Sequence, residues 1–399
     1  MTAGHAHGRH AVPESGRVRT IALAVIVPIA LATLAGVVWL WPSGGPATSG
    51  AAAGEEVRGQ ITSIVPAVCP EPLVEETNGC GTAEVLLDDG PDAGTTVVVD
   101  LPNGSGAPEV STGDSVVVLV TDSPDGDLYS VVDHQRGLGL WVLVAASALA
   151  LLAFGRWRGL SALGGLVVTF GVLLWFVVPA ILAGESPVLV ALVGSAAIML
   201  TVLYLTHGVT LTTTVALLGT LASFVLTGLL AYLAVAGLHL TGVTDDLSMS
   251  VGSTYEVDMR GLLLAGIVIG SLGVLDDITV TQAATVGELT RANPGYGFGQ
   301  LYRAADRVGR AHIASVVNTI ILAYAGSSLP ILVLVVADHG SLAEVVTDQF
   351  LAQEIVRSLV ATTGLIAAVP ITTALAAFAL RRAQVQDRPG SASPGPLTD

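Results

Sequence analysis

From Ser186 to Thr244 the chain carries no acidic residue and no arginine or lysine, an uncharged run of 59 residues broken only by His207 and His239. As a single helix it would be roughly 90 Å long, three times the ~30 Å apolar layer of a bilayer. A run of this length must therefore fold back on itself. The best place for the turn is Thr206-His207-Gly208, which gives two membrane spans at 187–205 and 209–237.

The rest of the chain follows the same plan. Charged residues make up 12% of the sequence, against about 25% in a soluble domain. Further spans are read at 20–41, 138–155, 159–182, 261–278, 311–337 and 358–380, the last with Pro370 as a kink. The first follows Arg9, Arg17 and Arg19. It is longer than the ~7–15 residues of a signal-peptide core, so it reads as a retained anchor. Ala51-Ala52-Ala53 is the one feature that argues for cleavage. The fold class expected is an α-helical polytopic membrane protein of about eight spans. Tails 1–19 and 381–399 are disordered in this reading, and both lie in the cytoplasm. Twelve of the sixteen arginines then fall inside, and only Arg58, Arg136, Arg260 and Arg357 fall outside, as the positive-inside rule requires.

Residues 50–135 differ in kind. Between residues 42 and 137 lie sixteen of the 32 acids and two of the sixteen arginines. So acidic a segment excludes nucleic acid as a partner. Period-two patterning predicts strands at Val57–Val65, Ala83–Leu87, Thr95–Leu101, Ser115–Thr121 and Leu128–Val132, separated by Gly, Pro, Asn and Asp turns. Five short strands suggest a small extracytoplasmic all-β domain, OB-like, between the first and second spans. Tyr129 is its only aromatic residue, so no stacking platform for a ligand is expected. An assembly or docking role, with a protein partner, suits it better. Cys69 and Cys80 are the only cysteines. Outside the cytoplasm a disulfide is the default; a metal pair is the alternative, weakened by the absence of nearby histidines.

Polar residues enter the membrane at one place. Only 15 uncharged residues separate Arg260 from Asp276, about 22 Å of helix. Asp276 and Asp277 therefore lie within the apolar layer or at its inner edge. Continued as helix, Asp277, Thr281, Ala284 and Glu288 share one face, and Thr281 and Gln282 add polar groups. Asn318, about two turns into the following span, needs a partner, and Asp276 or Asp277 is the candidate. These six residues, Asp276, Asp277, Thr281, Gln282, Glu288 and Asn318, form the expected intramembrane polar site. The plainer alternative is that the aspartates simply end the sixth span. Arg303, Arg307 and Arg310 form a basic cytoplasmic face, whose plainer role is contact with anionic lipid. No catalytic motif is found, and no metal or cofactor is expected. His5, His7 and His10 read as a His-rich tail rather than a ligand set.

The segment Gly273-Val-Leu-Asp-Asp-Ile-Thr-Val-Thr-Gln-Ala-Ala-Thr-Val-Gly-Glu-Leu289 resembles the YibE/F-like family of bacterial membrane proteins. So do Leu301-Tyr-Arg, Gly309-Arg310 and Asn318-Thr-Ile-Ile-Leu-Ala-Tyr-Ala-Gly326. Cys80-Gly-Thr-Ala83 and Leu101-Pro-Asn-Gly resemble its actinobacterial members, and the likeness extends from about Val57 onward. It implies a multi-pass protein of the bacterial plasma membrane and supplies no reaction. The function expected is non-enzymatic: a permease for a small solute or ion, since the last six spans read as three plus three of opposite orientation. The rival is a scaffold or envelope factor acting through the β domain.

Overall fold

The computed structural model describes residues 16–42, 54–69, 77–104, 106–123, 126–244, 246–337 and 347–387. They form two compact units, Thr48–Arg156 and the remainder of the chain. His5, His7, His10, Ala51–Ala53 and the tail from Arg388 lie outside the described residues.

The first unit is a five-stranded antiparallel sheet followed by a helix. Strands β1 (Glu55–Ala67), β2 (Cys80–Leu87), β3 (Thr96–Asp100), β4 (Ser115–Thr121) and β5 (Leu128–His134) pair in the order β3-β2-β1-β4-β5. β1 serves both halves: residues 59–67 pair with β2 and residues 55–60 with β4. A bulge between Ile61 and Ser63 bends it between the two partners. The outer strands β3 and β5 approach each other, so the sheet curls into the partly open OB-like barrel. Its core is aliphatic and alternating, with Ala83, Val85 and Leu87 buried along β2 against Val57, Ile61, Val116 and Val118.

Cys69 and Cys80 are disulfide-bonded across the β1–β2 connection. Beside them, the two motifs of this domain meet. Leu101 N–H donates to the Gly81 carbonyl at 3.0 Å, and the Asn103 side chain donates to Gly79 and accepts from Asn78 N–H. Gly81 has φ +141°, and a Cβ there would strike the Val65 carbonyl, so only glycine fits. Helix α2 (Gly137–Gly155) leaves β5 and closes this unit.

The second unit is helical. α1 (Gly16–Trp39) packs Gly36 against Val193, and Leu40 just beyond it is buried. α3 (Trp157–Val172) passes through a π turn (Leu173–Val177) into α4 (Val178–Leu182). The π turn directly precedes Pro179, which has no N–H to give to an α-helical ladder. α5 (Pro187–His207) ends where Gly208 adopts φ 75°, and the Thr210 hydroxyl accepts from Thr213 N–H to start α6 (Leu211–Gly237). After the short α7 (Asp246–Thr254) come α8 (Met259–Ala292), α9 (Phe298–Ser327), α10 (Leu329–Ala337) and α11 (Gln349–Asp387). α8 is central and packs against α5, α6, α9 and α11.

Among the described residues, seven helices are long and apolar enough to cross a membrane. The span read at 20–41 corresponds to α1, whose apolar run Leu23–Trp39 is shorter. Two helices run differently from the spans read. α8 continues past 278 to Ala292, because charged residues end an apolar layer without ending a helix. The seventh span is not one helix from 311. α9 starts at Phe298 and stops at Ser327, and Pro330, in the first turn of α10, restarts the chain.

Candidate functional site

The inner face of α8 follows the helical period. Ser271, Leu275, Ile278, Gln282, Val286 and Thr290 recur at steps of three or four and are all buried. The expected polar face does form one stripe, but it points the other way: Asp277, Thr281, Ala284 and Glu288 are all exposed. Successive helical residues are about 100° apart, so Asp276 and Asp277 cannot share a direction. Of the α8 residues singled out above, Asp276 and Gln282 are the ones that turn inward. Glu288 pairs with Arg291 on the exposed side.

Asp276 is half-buried, and its Oδ1 is fully enclosed with no hydrogen-bond partner. It lies about 24 Å along the helix from Arg260. Gln282, 2% exposed, donates from Nε2 to the Ala305 carbonyl at 2.9 Å and to Thr373 Oγ1 at 2.6 Å. It thereby ties α8 to α9 and α11. Gly309 makes room for it, since a Cβ there would lie 2.8 Å from Gln282 Oε1 and 2.6 Å from Val369 Cγ1. The segments 273–289 and 309–310, separate in sequence, are thus two sides of one contact.

Several polar residues of this core were not singled out from the sequence. Thr220 and Thr279, both wholly buried, share a hydrogen bond of 2.6 Å between α6 and α8. Gly219, Ser223 and Thr227 on α6 face Gly364, Ala368 and Thr372 on α11, each set at four-residue steps. A Cβ on Gly219 would lie 3.0 Å from Thr372 Cβ, and one on Gly364 would lie 3.1 Å from Thr227 Cβ. Small residues bring these helices close, as is common in membranes. The hydroxyls of Thr220, Ser223, Thr227 and Thr373 donate to carbonyls four residues back on their own helices. Thr372 Oγ1, and Ser195 Oγ on α5, are buried without a partner. The four-residue spacing was the signal that could have found them.

Asn318 does not meet either aspartate. It is exposed and has no hydrogen-bond partner among the described residues. α9 turns Leu301, Ala305, Asp306 and Gly309 inward over its first half, and beyond them only Ile320 is buried. Arg303, Arg307 and Arg310 are all exposed. Arg310 Nε donates to the buried Asp306 at 2.8 Å, and Arg303 Nε donates to the Gly299 carbonyl at 3.1 Å. In the β domain, Tyr129 gives its hydroxyl to Asp92 at 2.6 Å, and this carboxylate pushes the phenol up to about 12.

Long apolar helices around a small polar core, joined to a β domain, define a multi-pass integral membrane protein. The model of the YibE/F-like protein family matches residues 143–382, more than half of the chain, and the chain belongs to that family. The match begins within α2 and ends within α11, so the likeness expected from Val57 is found for the helical part alone. No curated protein and no solved structure matches the chain.

Proposed function

We propose that the protein is a permease for a small solute or ion in the bacterial plasma membrane. One observation supports this reading above the others: the unpaired, enclosed Oδ1 of Asp276 on the central helix. A carboxylate at the centre of a membrane helix costs about 2.5–3.5 kcal/mol on insertion scales, less toward the inner edge where Asp276 is read, and intramembrane acids usually mark ion or proton paths. A cation, a proton or a donor group of the solute would complete the missing contact.

The test is flux into proteoliposomes under imposed gradients of protons, alkali cations and divalent cations. At least one gradient should drive transport, and Asp276→Asn, which keeps the shape and removes the charge, should abolish it. Asp277→Asn should leave most of the flux, because that side chain faces outward. No flux under any gradient, or full flux in a well-folded Asp276→Asn protein, overturns the proposal.

We place the N-terminus and the arginine face of α9 in the cytoplasm and the β domain outside. Both native cysteines are bonded to each other, so a single introduced thiol is a clean probe. An impermeant maleimide should label Ala93→Cys on intact cells and Val308→Cys only after permeabilisation. The opposite pattern would reverse the topology.

A further inference from the structure

The β unit holds an open groove of about 560 Å³ where the sheet passes into α2. Arg58 on β1 and Arg136, the residue before α2, line it together with His134, Gln135 and Trp141. The segment from residue 42 to 137 has sixteen acids and only these two arginines, yet no acid lines the groove. The positive side chains of an acidic domain are gathered where it joins an apolar helix.

Most of their donors are free. Arg58 Nε is 3.7 Å from Asp89 Oδ2, too far for a hydrogen bond. Arg136 gives one N–H to Asp133, and a guanidinium has five. His134 Nε2–H donates to the Glu109 carbonyl at 2.8 Å, which leaves Nδ1 of the neutral ring an acceptor, so His134 serves as wall. Gln135 is occupied by the carbonyls of Gly59 and Val116 and serves as wall. Trp141, one turn into α2, is 73% exposed. A tryptophan in the first turn of an apolar span marks the headgroup level of a bilayer. A bilayer surface at the level of Trp141 would put lipid phosphates at the mouth of the groove.

We propose that this groove binds the phosphate of an anionic phospholipid. Arg58 and Arg136 take the phosphate oxygens, for which the guanidinium fork is shaped, and Trp141 lies against the glycerol and the upper acyl chains. An anionic membrane surface repels the rest of this domain, so the groove is its point of attachment. The proposal is independent of the permease reading.

Full-length protein, stripped of lipid in a neutral detergent, is titrated with phosphatidylglycerol, phosphatidylcholine, glycerol phosphate and inorganic phosphate, and bound ligand is read by native mass spectrometry. Phosphatidylglycerol should bind, and Arg58→Gln with Arg136→Gln should weaken it at least about tenfold, while the two lysine replacements, which keep the charge and lose the fork, should weaken it less. Equal binding by the glutamine variant, or equal binding of phosphatidylcholine, overturns the proposal. Inorganic phosphate or glycerol phosphate binding as tightly as the lipid would reassign the groove to a soluble phosphate and overturn the lipid assignment. Should the glutamine variant not fold, a headgroup photoprobe on phosphatidylglycerol answers with wild-type protein. It should crosslink within residues 134–141 more than the same probe on phosphatidylcholine; crosslinks only elsewhere count against the site.

Discussion

Valine at position 364 should force α6 and α11 apart and lower the stability of the helical unit by about 1–3 kcal/mol, the range for overpacking a close contact. The first added carbon would meet the Thr227 hydroxyl, with Thr227 Cβ at 3.1 Å and Cγ2 at 3.3 Å. Thr227 cannot step aside. It is wholly buried, its hydroxyl is bonded to the Ser223 carbonyl at 2.8 Å, and a β-branched side chain has few helical rotamers. Gly219→Val should act in the same way from the other helix, against Thr372. Gly266 is the control: it lies on exposed α8 surface with nothing within 4 Å of a Cβ. Gly266→Ala should be neutral or stabilise by up to about 1 kcal/mol, since alanine is the better helix former. Thermal unfolding in detergent reads all three. Equal melting temperatures for Gly364→Val and Gly266→Ala would remove the close-packed contact from the account.

Replacing both cysteines by serine should loosen the β domain while leaving the helices intact. The bond closes a loop of sequence separation 11, for which lost chain entropy corresponds to about 3 kcal/mol. Among the described residues of the β1–β2 connection, the Asn78 and Asn103 hydrogen bonds and the end of the β1–β2 ladder are what hold it besides the disulfide. Limited proteolysis of the full-length protein should therefore cut within residues 54–134 far faster in the double serine variant, and a reductant should reproduce the effect in wild type. Unchanged proteolysis in both would show that the sheet alone carries the domain.

The sequence revealed the helical unit through what it lacks. A long run without charge has few alternatives to membrane helices, and Gly208 marks the turn that such a run needs. Strand alternation, with Ala83, Val85 and Leu87 facing in, was equally readable, because one side of that sheet is wet and the other dry. The candidate site was readable only in part, for the converse reason. Within a membrane both sides of a helix are apolar surroundings, so a stripe such as Asp277-Thr281-Ala284-Glu288 tells which residues share a face and nothing about its direction. Gln282 and Asp276 point inward because of how α5, α6, α9 and α11 surround α8, which is a matter of tertiary contact. Asn318 was assigned a partner on cost alone, and the turn of α9 did not supply one. The threonines of the core escaped notice because each is individually unremarkable; only their four-residue recurrence, matched on two helices, carries the message.

The hydroxyls along α6 have a mechanical consequence. Ser223 and Thr227 each close a bond within their own helix, so none of these bonds reaches across to α11. By contrast, Gln282 and Thr279 latch α8 sideways onto α11 and α6. A slide of α11 along α6 by one small-residue step, about 6 Å, would break no hydroxyl bond at that seam and would disturb only its shape. What holds α11 against α6 is therefore the shape of that seam together with α8, whose bonds to Thr373 and Thr220 fasten it to both helices.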